Sequence, residues 1–112
     1  IIGTGGAIEI AKLLKINSTL RVLELKYNTI DREGVIEIFR SLITNCTLHT
    51  LYLSCNKICT EGITEITNVL ESNYTLTDID LGISNDKITE IIKRNIDILK
   101  NKRFAKTKSA AN

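Results

Sequence analysis

The sequence predicts an α/β fold in which short strands and helices alternate and stack as a solenoid. The main observation is a unit that repeats every 28 residues: the segment from Leu20 to Ile30 recurs from Leu48 to Ile58, and a weaker copy begins at Leu76. Two further sets keep this spacing, namely Gly6, Gly34, Gly62 and Asn17, Asn45, Asn73. Repetition at a fixed period of this length is typical of architectures in which each unit packs only on its neighbours.

The first half of each unit alternates apolar and polar residues, which is the pattern of a short strand with one buried face. In the first full copy Leu23 and Leu25 share one face, whereas Glu24 and Lys26 share the other. We expect the leucine face to point into the core.

The second half of each unit spaces its apolar residues by three and four, which predicts an amphipathic helix. The stripes are Ala7, Ile10, Leu14; Val35, Ile38, Leu42; and Ile63, Ile66, Leu70. One such unit cannot bury its own apolar faces, so neighbouring units must cover them. We expect a curved right-handed stack, with a parallel sheet on the concave side and helices on the convex side.

The repeat phase also predicts the domain organisation. Residues 1–102 form the repeat domain: 1–19 a partial repeat, 20–47 and 48–75 full repeats, and 76–102 a degenerate repeat with a C-terminal cap helix. Asp86 is placed to cap the N-terminus of that helix. Residues 103–112 are predicted to be a flexible basic tail. Because the chain opens in the middle of a repeat, we expect it to be the C-terminal part of a longer protein.

The pattern L-x-x-L-x-L-x-x-N-x-I, followed by a helix, resembles the leucine-rich repeat family, in particular its long, ribonuclease-inhibitor-like subclass. The resemblance covers residues 1 to about 100. It implies the curved solenoid described above. It implies function only broadly, because the subclass includes NOD-like receptors, Ran GTPase-activating proteins, tropomodulin-like actin caps and bacterial effectors.

Asparagines recur at both ends of the strand segments. Asn28 and Asn56 follow the strands, where an amide can donate to and accept from the turn beneath, so we expect them to form a ladder inside the bend. Asn17, Asn45 and Asn73 follow the helices, a place that favours a left-handed conformation. Each of these three also begins an N-x-T triplet, but their repeat spacing favours a structural role over glycosylation.

Composition excludes several function classes. With 43% hydrophobic and 25% charged residues, the chain is typical of a globular protein, and no segment has the length and apolarity of a membrane-spanning helix or the pattern of a signal peptide. Three cysteines and one histidine indicate neither a disulfide framework nor a zinc site. We find no catalytic, cofactor-binding or metal-binding motif, and we expect no enzymatic activity and a reducing, cytoplasmic location.

The charges are distributed unevenly. All 13 acidic residues precede residue 100, whereas five of the 15 basic residues follow residue 99. Such a tail could contact nucleic acid or acidic lipid, but a solubilising role is the simpler interpretation, and nucleic acid is an improbable partner.

The polar side chains of the concave face are the candidate binding residues, because that surface is rigid and free of packing duties. We expect them to bind another protein, with Tyr52 at the centre of the patch and Glu24 and Asp80 beside it. The candidates are Arg21, Glu24, Lys26, Tyr27, His49, Tyr52, Asp78 and Asp80.

Two other functions remain open at this stage. The domain could be a structural component of a larger assembly, with its convex helices and tail also in contact. It could also be a GTPase-regulating module resembling the Ran GTPase activator, although no polar residues between Tyr27 and Arg32 stand out for that role.

Overall fold

The computed structural model describes the backbone of residues 1–111 and the side chains of residues 1–105. Helices and strands alternate along the chain. In order they are α1 (Gly3–Ile16), β1 (Val22–Glu24), α2 (Arg32–Ser41), β2 (Thr50–Tyr52), α3 (Thr60–Glu71), β3 (Asp78–Asp80) and α4 (Asp86–Ala111).

The three strands form one parallel sheet in the order β1-β2-β3. Their register follows the repeat, because Leu23 pairs with Leu51 and Leu51 pairs with Ile79. The helices form a second layer in which each packs against the next. The predicted α/β solenoid is therefore confirmed. Within the described residues, no helix is both long and apolar enough to cross a membrane.

The core lies between the sheet and the helices. Leu25, Leu51 and Leu53 are buried, whereas Glu24 on the other face of its strand is exposed. The predicted strand faces are confirmed. The buried members of the predicted helical stripes are Ala7, Leu14, Val35, Ile38, Leu42, Ile66 and Leu70, and Ile10 and Ile63 pack against them at its margin.

The predicted ladder of strand asparagines is present inside the bend. The side-chain amide of Asn56 donates to the carbonyls of Leu25 (2.8 Å) and Leu53 (3.0 Å). Its side-chain carbonyl accepts from the backbone N–H groups of Asn28 (3.1 Å) and Ile30 (2.9 Å). One side chain thus joins two successive repeats through four backbone groups.

The helix-end asparagines form a second ladder that the sequence did not predict. The side-chain amide of Asn45 donates to the carbonyls of Leu14 (2.9 Å) and Asn17 (3.1 Å). Asn73 repeats this pattern on Leu42 (3.0 Å) and Asn45 (3.3 Å). The amides of Asn45 and Asn73 are therefore buried and occupied, which disfavours their glycosylation.

The left-handed conformation predicted for these helix-end asparagines is wrong. Among the described residues, the non-glycine positions with positive φ are Tyr27 (59°), Thr29 (55°) and Cys55 (63°), all in the turns that follow strands. Side-chain hydrogen bonds hold the turn after each of these helices instead. For example, the side-chain carbonyl of Asn17 accepts from the N–H of Leu20 at 2.7 Å.

The cap helix begins and ends differently from its prediction. Asn85, not Asp86, caps α4, because its side-chain carbonyl accepts from the N–H of Ile88 at 3.0 Å. The helix continues to Ala111, well past the predicted boundary at residue 102. The side chains from residue 106 onward and the whole of residue 112 lie outside the described part, so the flexibility of the 103–112 tail stays a prediction.

Arg94 and Asn95 attach α4 to the repeats. The Arg94 guanidinium donates to the carbonyls of Asn73 (2.7 Å) and Leu70 (3.3 Å) at the end of α3, and it stacks on the Tyr74 ring with 4.0 Å to the centroid. The fully buried Asn95 amide donates to the Asn73 carbonyl at 3.0 Å. Asn95 thereby supplies the last rung of the second asparagine ladder.

Gly34 and Gly62 occupy equivalent repeat positions, but we expect their replacement by alanine to change the free energy of unfolding in opposite directions. A Cβ at Gly34 would lie 2.7 Å from Cγ2 of Ile30 and 3.1 Å from Cβ of Ala7, whereas at Gly62 it would meet Arg32 at an ordinary 3.5 Å. We expect Gly34→Ala to lower the free energy of unfolding by about 1–2 kcal/mol through overpacking. Gly62→Ala should raise it by about 0.5 kcal/mol, because alanine is the better helix former. Urea denaturation measures the free energy of unfolding of both variants, and equal changes in the two would contradict the predicted difference.

Candidate functional site

The concave face of the sheet carries a group of polar side chains that contact one another across three repeats. We call Glu24, Lys26, Tyr52, Asp78 and Asp80 the concave cluster. Glu24, Tyr52 and Asp80 occupy equivalent positions and pair in register along β1, β2 and β3. Strand geometry places them here, because alternate side chains point to opposite faces of a sheet and the intervening leucines fill the core.

Lys26 lies at the centre of the charges in the concave cluster. Its Nζ is 3.6 Å from a carboxylate oxygen of Asp80 and 3.9 Å from one of Glu24, and it lies 4.9 Å from the centroid of the Tyr52 ring. The backbone N–H of Lys26 also donates to Glu24 at 2.8 Å. Three carboxylates against one ammonium group leave the concave cluster with a net negative charge.

The Tyr52 hydroxyl donates a hydrogen bond to the Asp78 carboxylate. This bond raises the pKa of the Tyr52 phenol above its ordinary value of 10.0, and burial and the neighbouring carboxylates of Glu24 and Asp80 act in the same direction. The phenol therefore stays protonated and fixed at neutral pH. The aromatic ring of Tyr52 is thereby kept in a fixed position on the concave side.

The remaining candidate residues lie outside the concave cluster. Nη1 of Arg21 is 3.2 Å from Nε2 of His49, so these two form a separate pair. Since a guanidinium only donates, this contact needs an unprotonated Nε2 on His49. Tyr27 is 72% exposed, and interaction with the neighbouring Cys55 raises the pKa of its phenol. The structure thus divides the eight predicted residues into a group of five, a pair and a single tyrosine.

The pKa of one thiol also departs from its ordinary value. Cys59 lies immediately before α3, and a hydrogen bond from the Gly62 backbone lowers the pKa of its thiol below the ordinary 9.0, with Arg32 acting in the same direction. The Cys59 thiolate therefore forms more readily than that of an ordinary cysteine. The place of Cys59 directly before a helix is the signal in the sequence for this shift.

The described residues hold no arrangement that suggests catalysis by a metal. No group of three or more His, Cys, Asp or Glu side chains is placed there to hold a metal ion. The concave cluster can offer carboxylates, a phenol and one ammonium group to a partner, which is the chemistry of a polar protein interface.

A model of the family described as "Leucine Rich repeat" matches residues 17–39 and 44–66. Each segment spans one strand, β1 or β2, and the first part of the helix that follows it, so the fold agrees with the match. The chain has the leucine-rich repeat fold. Its assignment to the ribonuclease-inhibitor-like subclass stays a prediction.

This leucine-rich repeat chain is similar to solved structures of two other proteins. One is Leiomodin-1 Actin-Binding Site 2 (ABS2), with a TM-score of 0.87 and 28% sequence identity, over 96% of this chain and 66% of that chain. The other is the C-terminal domain of tropomodulin from Caenorhabditis elegans, with a TM-score of 0.85 and 16% identity, over 93% of this chain and 66% of that one. The second likeness shows the fold alone. The leucine-rich repeat chain spans just under two thirds of each of these structures.

A search of curated proteins found no match to this leucine-rich repeat chain.

Proposed function

We propose that this domain is a protein-binding module and not an enzyme, and that actin is the partner to test first. The observation that carries the proposal is the likeness to Leiomodin-1 Actin-Binding Site 2, which extends over 96% of this chain at 28% identity. The cytoplasmic location expected from the sequence is compatible with this partner.

The concave cluster is the surface we propose for the contact. Its side chains belong to three successive strands, so their relative positions are fixed by the sheet and little conformational entropy is lost on binding. Tyrosine is among the residues that contribute most to interface energies, and Tyr52 is held by its bond to Asp78. The excess of carboxylates predicts that the facing surface of the partner is basic.

The convex helices are less suited to be the binding surface, because their charges pair across repeats. Arg32 contacts Glu61 at 2.6 Å, and Arg40 contacts both Glu37 (2.6 Å) and Glu65 (3.3 Å). These pairs join α2 to its own residues and to α3. A partner on this face would have to displace contacts that already satisfy the charges, whereas the concave cluster retains an unbalanced negative charge.

The test compares two double variants that remove the same residue types. Glu24→Ala with Asp80→Ala deletes one glutamate and one aspartate from the concave cluster. Glu33→Ala with Asp97→Ala deletes the same pair from exposed positions on α2 and α4. Both change the net charge equally. We expect the concave double variant to bind fluorescent actin monomers about tenfold more weakly than the wild type, which corresponds to about 1.4 kcal/mol.

The control double variant should bind as the wild type does. Cosedimentation with filaments extends the measurement to polymerised actin. Absence of binding to both forms of actin would exclude actin as the partner. If both double variants weakened actin binding equally, the cause would be the change in net charge, and the concave cluster would not be the binding surface. Circular dichroism melts of all variants separate loss of binding from loss of fold.

A further inference from the structure

A groove of about 540 Å³ runs along the open edge of the sheet, between β3 and α4. It shares Asp78 and Asp80 with the concave cluster but extends away from it, because one of its walls is the free edge of β3 and the other is the cap helix. Its lining includes Asp78, Ile79 and Asp80 of β3 and Ile88, Ile92 and Ile96 of α4.

The strand wall of the groove offers backbone groups for pairing. The N–H of Asp78 donates to His49 at 3.0 Å, and the carbonyl of Asp80 accepts from Leu53 at 2.7 Å, so both of these residues face β2. In a parallel ladder the backbone groups of alternate residues point to opposite sides. The N–H and carbonyl of Ile79 therefore face the groove. Such an edge is a template for a further strand.

The helix wall of the groove supplies an apolar floor. Ile88, Ile92 and Ile96 are spaced by four and lie on one side of α4; the first is buried and the other two are half-buried. In the preceding repeats, the space beside each strand is filled by the strand of the next repeat, as β2 fills the space beside β1. Within the described residues, the sheet stops at β3 and α4 leaves the corresponding space open.

The charges that line the groove favour a bound segment with basic residues. Both outward residues of β3 are aspartates, whereas the equivalent positions of β2 are Thr50 and Tyr52. The Asp78 carboxylate accepts a hydrogen bond from Tyr52 on β2. The Asp80 carboxylate forms an ion pair with Lys26 of the earlier repeat and accepts from the N–H of Gly82 in the following turn. Lys93 is the one cation among the lining residues, and it belongs to the helix wall. Residues of an added strand beside the two aspartates would be favoured if basic, because opposite charges on neighbouring strands attract.

We propose that the groove binds an extended segment of a partner protein as a fourth strand of the sheet. The backbone of the segment pairs with Ile79. Its basic residues lie beside Asp78 and Asp80, and the alternate, apolar residues lie on Ile92 and Ile96. The recognised sequence is therefore a short alternation of basic and apolar residues.

The experiment uses a short synthetic peptide in which lysine and leucine alternate, and it measures binding by fluorescence anisotropy and hydrogen exchange by NMR. At a saturating peptide concentration, we expect exchange of the Ile79 amide to slow at least about tenfold, as for a newly hydrogen-bonded strand amide. The Val22 amide is the internal control. It lies on the opposite open edge, because the Arg21 carbonyl and the Leu25 N–H face β2.

Two comparison peptides test the two parts of the recognition. A peptide with glutamate in place of lysine should bind at least about tenfold more weakly, because two attractive cross-strand contacts become repulsive. A lysine–leucine peptide that is N-methylated at two adjacent central residues should also lose binding, since one of the two methyl groups points toward β3 and prevents close pairing with its free edge. Equal binding of either comparison peptide would overturn the proposal.

Two variants of the protein complete the test. Ile96→Lys places a charge in the groove, and Asp97→Asn makes the same change in net charge at the neighbouring exposed position. We expect the first to abolish peptide binding and the second to retain it. Retained binding in Ile96→Lys, or peptide binding without protection of Ile79, would contradict strand addition at this edge. No actin is used, so the result is independent of the function proposed above.

Discussion

Replacing Asn73 with alanine is expected to lower the free energy of unfolding by about 4 kcal/mol, which is a large part of the stability of a domain of this size. The side chain is only 4% exposed. Its amide donates to the carbonyls of Leu42 and Asn45, and its carbonyl accepts from the N–H groups of Thr75 and Leu76. Alanine leaves four backbone groups without these partners, and each buried group left unpaired costs about 1–3 kcal/mol.

Asn17→Ala is the matched control for Asn73→Ala. The two asparagines occupy equivalent repeat positions, but Asn17 is exposed, and its side-chain carbonyl accepts from Thr19 and Leu20 where water can replace it. We expect a loss below about 1 kcal/mol for Asn17→Ala. Urea denaturation measures both, and the melting temperature of Asn73→Ala should fall by roughly 15 °C. Similar losses in the two variants would show that burial of the ladder does not determine its energy.

The ladder of helix-end asparagines also shows where sequence reasoning was sufficient and where it failed. The repeat spacing of Asn17, Asn45 and Asn73 was enough to assign them a structural role. It did not reveal the bonds, because a residue that follows a helix can be held either by its own backbone conformation or by its side chain. Asn95 was beyond prediction, because it comes from the cap helix, where the repeat spacing ends.

The concave cluster was predictable in its members but not in its internal contacts. Alternation along the strands placed Glu24, Tyr52 and Asp80 on one face, and the parallel register then aligned them. The position of the Lys26 ammonium group over the Tyr52 ring depends on side-chain rotamers, which no repeat pattern encodes. Protein binding through this surface, and the absence of enzymatic activity, stay proposals until a partner is measured.

The groove beside β3 escaped the sequence analysis because it is defined by an interruption of the repeat. Residues 76–102 were recognised as a degenerate repeat that ends in a cap helix. The space between β3 and α4 depends on the angle at which α4 leaves the turn. Gly82 contributes to that turn with a φ of 74°, a conformation that favours glycine. The break in the repeat therefore creates a groove that the regular repeats do not have.

Phe39→Ala is the second substitution with a large expected effect. Phe39 is 1% exposed and lies on α2 in the core cluster, which also includes Leu14 of α1 and Leu42 at the end of α2. Truncation removes most of its buried apolar surface and leaves a cavity that the rigid stack cannot fill, so we expect a loss of about 3–5 kcal/mol. Each repeat is stabilised by its neighbours, and a cavity in α2 weakens its contacts with both α1 and α3. Loss of a single cooperative transition in calorimetry should accompany the loss of stability.

Phe104→Ala is the control that separates packing from the mere removal of a phenyl ring. Phe104 lies on α4 with 70% of its surface exposed, so its replacement should change the free energy of unfolding by no more than about 0.5 kcal/mol. The two variants differ from the wild type by the same chemical change. A large effect at Phe104 would mean that this part of α4 packs against the repeats in solution. A small effect at Phe39 would mean that the helices can close the cavity, and the core would then be less rigid than its packing indicates.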